Sequence, residues 1–198
     1  MMGDALPTLQ AMGNGKTVFV SVAAGTTIAT FEKTLGAQTP IVRAMPNTPA
    51  AISQGITAIV GNDYVGAKGM DEAEELLSAV GDVVRLDEEA QIDAVTGVSG
   101  SGPAYVFHMI ETMAAGGVAQ GLSPELALQL AIATVAGAGA LAKAADEDPT
   151  QLRKNVTSPN GTTQAALEVL MDEENGFPAL LKRAVAAAAD RSRELARD

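Results

Sequence analysis

The chain has no cysteine, no tryptophan and one histidine, and only 3% of its residues are aromatic. Without cysteine, disulfides, zinc knuckles, iron–sulfur clusters and thiol catalysis are excluded together. The lone imidazole, His108, has no second histidine and no cysteine to share a metal with and reads as a structural residue. With so few aromatic rings the core must be built from Ala, Val, Leu, Ile and Met, which suits close helix–helix packing better than a large β-sandwich. Basic residues are also scarce: 13 Lys and Arg stand against 24 Asp and Glu, a net charge of −11. Phosphate backbones are held by clustered cations, so nucleic acid is excluded as a partner. The first fifteen residues lack a basic stretch followed by an apolar one, so a signal peptide is not expected. The longest apolar run, Leu126 to Ala142, is broken by Gln129 and Thr134 and reads as short for a bilayer span. A soluble, cytoplasmic protein with no membrane partner is expected.

What is present is a folded composition: 198 residues, 47% hydrophobic and 19% charged, enough for one well-buried domain or two small ones. The opening GDALPTLQAMGNGKT reads as a helix and turn leading into a strand. Up to residue 87, β-branched runs alternate with helical spacing. Lys16–Val22, Pro40–Met45, Ile56–Val60 and Asp82–Leu86 read as strands, with helices at Thr26–Leu35 and Gly69–Val80. Such alternation means βαβ units and a mostly parallel, doubly wound (Rossmann-like) sheet, here a partial one. After residue 87 the β signals stop. Glu88–Thr96, Pro103–Gln120, Ser123–Ala145, Pro149–Val156, Thr163–Asp172 and Phe177–Ala196 all read as helices. The expected organisation is therefore α/β over residues 1–87 followed by an all-α domain over 88–198. The long helix carries Ala131, Ala133, Ala136, Gly137, Ala138, Gly139 and Ala140 and is apolar around most of its circumference, which calls for several neighbours. A monomeric core and burial in a homodimer both satisfy that, the homodimer better.

Four segments can carry chemistry. Ala23-Ala24-Gly25 and Met45-Pro46-Asn47-Thr48 follow strands, where open α/β sheets place their ligands; each can equally be turn punctuation. Gly97-Val98-Ser99-Gly100-Ser101-Gly102-Pro103 is either an anion cradle at a helix start or a flexible joint between the two parts. Asn155-Val156-Thr157-Ser158-Pro159-Asn160-Gly161-Thr162-Thr163 is a polar loop entering a helix. Its unpaired N–H groups and the helix dipole favour a carboxylate or phosphate, beyond a plain cap by Thr162 or Thr163. The acidic runs at 71–75 and 87–89 read as solvated faces or dipole partners, and Lys182, Arg183, Arg191, Arg193 and Arg197 as the solvated face of the last helix.

In that order, VSVAAGTTI, VRAMPNTPA, DAVTGVSGSGPAYVF and RKNVTSPNGTTQAALEVLMD closely resemble the motifs of the pyrroline-5-carboxylate reductase family, from about Lys16 to Leu195. The resemblance implies reduction of 1-pyrroline-5-carboxylate to L-proline, in proline biosynthesis, with NADPH or NADH. It implies that Ser158, Asn160, Gly161, Thr162 and Thr163 hold the substrate carboxylate, that Asn155 and Val156 line the pocket, and that the Thr163 hydroxyl is the proton donor. It implies that Ala23, Ala24, Gly25, Met45, Pro46, Asn47 and Thr48 lie beside the nicotinamide and its ribose. It also implies a helical dimerisation domain, an active site shared between two chains, and dimers that often assemble into decamers. The family begins with strand–GxGxxG–helix, and this chain holds no GxGxxG; Gly13-Asn14-Gly15 precedes a strand and lacks the third glycine. The first half of the dinucleotide fold, with its pyrophosphate site, is therefore expected to be missing, and cofactor binding weak or absent. The choice between NADPH and NADH is left open. A non-catalytic helical oligomerisation module is the second reading; a reductase of another imine or β-hydroxy acid is opposed by SPNGTT.

The small-residue helix generates the first prediction. Light scattering at micromolar concentration is expected to give at least the mass of a dimer; a monomer would contradict it.

Overall fold

The computed structural model describes residues 7–13 and 15–196. Asn14 of the Gly-Asn-Gly stretch and Arg197 of the basic face lie outside the described residues. The chain divides into two compact units, residues 1–103 with 184–198, and residues 104–183.

The first unit is built on a four-stranded sheet of order β1 (Phe19–Ser21), β2 (Ile41–Met45), β3 (Gly55–Gly61) and β4 (Gly81–Arg85). β1 pairs with β2 and β3 with β4 in parallel, each pair joined through a helix, α1 (Ile28–Leu35) and α2 (Gly66–Ser78). β2 and β3 are antiparallel, because the link between them is a short 3-10 turn at Thr48–Ile52, too brief for a crossover. The expected mostly parallel sheet is thus mixed, with one reversed pair.

All five residues of β2 are buried, so its alternating side chains feed two cores. Ile41 and Met45 join Ile28, Phe31 and Leu35 of α1 on one face. Val42 and Ala44 pack with Ile59, Val65 and Ala73 on the other. The helices start where the sequence offers caps. Thr27 Oγ1 accepts from Thr30 N at 3.3 Å at the head of α1, and Gly36, with φ +105°, ends it.

One polar group interrupts this core. Arg43, at the centre of β2, is 3% exposed. Its Nη1 donates to Glu89 Oε1 at 2.7 Å, while Nε and Nη2 are buried without a hydrogen-bond partner. Glu89 follows β4 and precedes α3 (Gln91–Val95). Of the two readings of the acidic run, solvated face or dipole partner, Glu89 fits the second, at the start of α1, where Ile28 N donates to its Oε1 at 2.9 Å, and it is also the counter-ion of a buried arginine.

Beyond Arg85 every described element is helical, as the composition shift at residue 87 anticipates. Helix α4 (Gly102–Ala119) follows α3, and α5 (Pro124–Ala144) follows in the second unit, capped by Ser123 Oγ on Leu126 N. Then come α6 (Pro149–Asn155), α7 (Thr162–Leu170) and α8 (Phe177–Leu195). The residues of α8 from Ala184 onward belong to the first unit, where Ser192 Oγ donates to Asp93 Oδ1 at 2.6 Å.

One expectation needs correcting, and one gains detail. The His108 ring is 74% exposed, with Nδ1 3.1 Å from Glu111 Oε2, one turn along its own helix. And α5, at 21 residues, is the one helix among those described that is long and apolar enough to cross a membrane by length and composition. The run looked short because it was counted from Leu126 to Ala142, whereas the Ser123 cap and Pro124 start the helix earlier. Only Ala127 and Ala131 of α5 are buried, and Leu126, Leu128, Leu130, Ile132 and Leu141 are exposed. A Cβ on Gly117 would lie 3.2 Å from the Ala127 Cβ, so α4 and α5 approach closely there. Gly137 and Gly139 have no neighbour of that kind within 4 Å.

The buried pair sets the second prediction. Removing one partner of a buried ion pair leaves an uncompensated charge, and Glu89 keeps part of its surface in water, so Glu89→Ala should cost roughly 2–4 kcal/mol of unfolding free energy. Urea unfolding followed by circular dichroism measures it, and an unchanged midpoint would refute the assignment.

Candidate functional site

The sequence-derived site residues fall into two groups, one in each compact unit. In the first unit, β1 and β2 run parallel in the register Phe19 to Ile41 and Ser21 to Arg43. The segments Ala23–Gly25 and Met45–Thr48 therefore leave the same carboxyl-terminal edge of the sheet, side by side. Ser21 Oγ accepts from Ala23 N at 3.2 Å and fixes the turn out of β1. Ala24 is exposed, while Ala23 and Gly25 are half-buried. Gly25 has φ +73°, and a Cβ there would come within 3.1 Å of Leu195 Cβ and 3.2 Å of its carbonyl oxygen. Both the backbone angle and the space require glycine.

In the second loop Met45 is buried, Pro46 and Asn47 are half-buried and Thr48 is exposed. Asn47 Oδ1 accepts from Ile56 N at 3.0 Å, so this oxygen ties the loop to β3. The loop is rigid on one side by that bond and open to a ligand at Thr48.

The glycine-rich stretch ends where the first compact unit gives way to the second, after Pro103. Thr96–Gly100 forms a π-helical turn that continues α3, with Ser101 N donating to Thr96 O at 2.8 Å. Thr96 Oγ1 and Ser99 Oγ donate back to the carbonyls of Ile92 and Val95, so both hydroxyls serve the helix. Gly97 is needed for contact, since a Cβ there would lie 2.6 Å from Val185 O of α8. A Cβ on Gly100 would sit 3.7 Å from Met45 Sδ. The π turn thus abuts the end of β2, and such turns recur at functional sites.

In the second unit, Asp148 Oδ1 caps α6 by accepting from Gln151 N at 2.9 Å. Asn155 closes α6: its Oδ1 accepts from Gln151 Nε2 and its Nδ2 donates to Glu147 Oε2, both at 2.8 Å. Its side chain is therefore engaged locally. Val156 is 65% exposed. Gly161 N donates to Ser158 O at 3.0 Å, closing the turn, and Asn160 takes the left-handed conformation at φ +57°. Asn160 N donates to Gln164 Oε1 at 2.8 Å. The cap of α7 is Gly161, not Thr162 or Thr163, so no cap side chain accepts from the first-turn N–H groups. The backbone donors of Thr162 and Thr163 thus stand at the positive end of α7, beside a half-buried Thr163.

Beyond the turn, Asp172 at the foot of α7 accepts N–H bonds from Asn175 at 2.7 Å and Glu174 at 3.1 Å, which hold its carboxyl below the usual range. Arg85 is held above its usual value by Asp71 and Glu74. Neither lies among the site residues. No cluster of metal-ligating side chains occurs among the described residues.

Arg43 and Glu89 were missed as site neighbours. The signal existed: an arginine in the apolar strand PIVRAM demands a counter-charge if the strand is buried.

Parallel βα units with ligand-edge loops, followed by helices that end in an uncapped polar turn, define a partial doubly wound α/β fold joined to a helical domain. The family model described as pyrroline-5-carboxylate reductase dimerisation matches residues 89–195. The chain is 49% identical over 179 residues to a pyrroline-5-carboxylate reductase of Pseudomonas aeruginosa, covering 90% of this chain and 65% of that one. A pyrroline-5-carboxylate reductase structure from Coxiella burnetii superposes with a TM-score of 0.91 at 36% identity, covering 97% of this chain and 71% of that one. One from Plasmodium falciparum, with NADP bound, gives 0.86 at 30% identity and covers 98% and 77%. The chain belongs to the pyrroline-5-carboxylate reductase family. It spans 65% and 66% of the length of its Pseudomonas aeruginosa and Corynebacterium melassecola relatives.

The Gly25 geometry gives the third prediction. A side chain in the left-handed region costs about 1–2 kcal/mol, so Gly25→Ala should lower the urea midpoint correspondingly. An unchanged midpoint would contradict the left-handed conformation of Gly25.

Proposed function

We propose that this chain serves the reduction of 1-pyrroline-5-carboxylate to L-proline, with NADPH or NADH as the reductant. The observation that carries the reading is the turn Ser158–Thr163, an uncapped helix start with backbone donors and a half-buried hydroxyl. The substrate is a cyclic imine with a carboxylate. The Thr162 and Thr163 N–H groups suit that carboxylate, because a helix N-terminus gathers unpaired donors and positive dipole at one place. Anchored there, the ring brings its imine nitrogen toward Thr163, whose hydroxyl donates the proton that the nitrogen gains as the C=N bond is reduced. Ser158 and Asn160 shape the turn rather than catalyse, through the Ser158 carbonyl bond to Gly161 and the left-handed bend at Asn160.

When bound, the nicotinamide cofactor supplies the hydride to the imine carbon. Ala23–Gly25 and Met45–Thr48 fit its nicotinamide end. They share one sheet edge, and Ala24 and Thr48 are exposed there. The Plasmodium falciparum relative, solved with NADP bound, supports a pyridine nucleotide.

The partner we propose is a second copy of the chain. The exposed leucines of α5 and the open Gly137 and Gly139 need a cover, and the match to a dimerisation family over 89–195 favours helices of another chain over a bilayer. A cytoplasmic location goes with this reading.

Proline formation from 1-pyrroline-5-carboxylate at millimolar NADPH or NADH tests the proposal. Thr163→Ala is expected to lower kcat roughly a hundredfold, the scale of one positioned proton donor, with cofactor affinity nearly unchanged. Equal loss of both would remove Thr163 from that role, and no proline with either cofactor would overturn the reading.

A further inference from the structure

A single carboxylate oxygen links the elements that carry the two sheet-edge loops. Glu89 Oε1 accepts from Arg43 Nη1 at 2.7 Å and from Ile28 N at 2.9 Å. Ile28 opens α1, three residues after Gly25, so this bond fixes where α1 begins and hence where the Ala23–Gly25 turn must end. Arg43 stands two residues before Met45 on the same strand, and pairs in register with Ser21 of β1, whose hydroxyl holds Ala23. The guanidinium makes no other hydrogen bond, since Nε and Nη2 are buried without a partner. The positive end of α1 and a buried guanidinium therefore converge on one anion that the protein itself supplies.

We infer that Arg43 and Glu89 are a positioning pair: the Glu89 carboxylate holds the starts of the two loops, Ala23–Gly25 and Met45–Thr48, in the mutual arrangement a nicotinamide would need. The use of those loops rests on the reductase reading; the positioning itself rests on the geometry. Stability alone would not require this arrangement, because a buried ion pair can be exchanged for apolar side chains without loss. Such an exchange would, however, leave the Ile28 N–H without its acceptor. Gln at position 89 would keep an oxygen for both donors.

The test compares the wild-type chain, Glu89→Gln and the double variant Arg43→Met/Glu89→Leu by amide hydrogen exchange with mass spectrometry, with and without millimolar NADPH. Glu89→Gln keeps an acceptor for both donors but removes the counter-charge of Arg43, so its exchange in the two loop peptides is expected to lie between that of the wild type and that of the double variant. In the double variant, exchange should quicken by about tenfold in peptides spanning 22–30 and 44–50, with helix α5 unaffected, as for a local opening. NADPH should protect those peptides in the first two proteins and no longer in the third. Unchanged exchange in the two peptides, or an equal rise along the whole chain, overturns the positioning role. An absence of NADPH protection in the wild-type chain overturns the cofactor reading of the loops instead, while the exchange comparison without nucleotide still decides the pair.

Discussion

Strand β2 is buried along both faces, and most of the first unit follows from that constraint. A strand with no solvent-facing side must be covered twice, so α1 lies against Ile41 and Met45 while α2 covers the layer of Val42 and Ala44. It also leaves no exit for a polar side chain. Arg43 can be kept there only because Glu89 reaches it, which ties the segment after β4 to the middle of the sheet. Met45, at the end of the same strand, then meets the π turn at Gly100.

The two groups of candidate site residues use different physics. At the sheet edge the geometry is backbone geometry: a left-handed Gly25, a loop held by the Asn47 oxygen, and a helix start held by Glu89. Around residues 155–163 it is the unsatisfied end of a helix, made usable because the cap is a glycine with no side chain to compete for the donors. Neither group needs a strongly shifted titratable residue. That suits a reaction in which the cofactor carries the hydride and the protein orients, binds an anion and passes one proton.

Much of this was legible in the chain before any coordinates. The strands and helices announce themselves by β-branched runs, helical spacing and caps such as Thr27, Ser123 and Asp148, all local signals. Three of the four motifs marked the loops that lie at the β1/β2 edge and ahead of α7. The antiparallel β2–β3 pair was not legible, because strand direction depends on how a short connection folds and not on either strand's composition. The glycines at 97 and 100 misled for a related reason: they look like loop residues, yet they serve a π turn and close contacts with α8 and Met45. Asn155 and Asn47 looked like free polar groups and turn out to spend hydrogen-bonding capacity on their own surroundings.

Taken by itself, the sequence determined the absence of cysteine chemistry, the change from α/β to all-helical character at residue 87, and the family to which the motifs belong. Those depend on residue type and short-range spacing, which the chain carries openly. The tertiary structure decided which side chains of β2 face which core, that Glu89 is a partner rather than a solvated acid, and that Gly161 leaves α7 uncapped. Each joins residues through space, Arg43 and Glu89 across 46 positions of sequence, or turns on a backbone angle that composition does not encode.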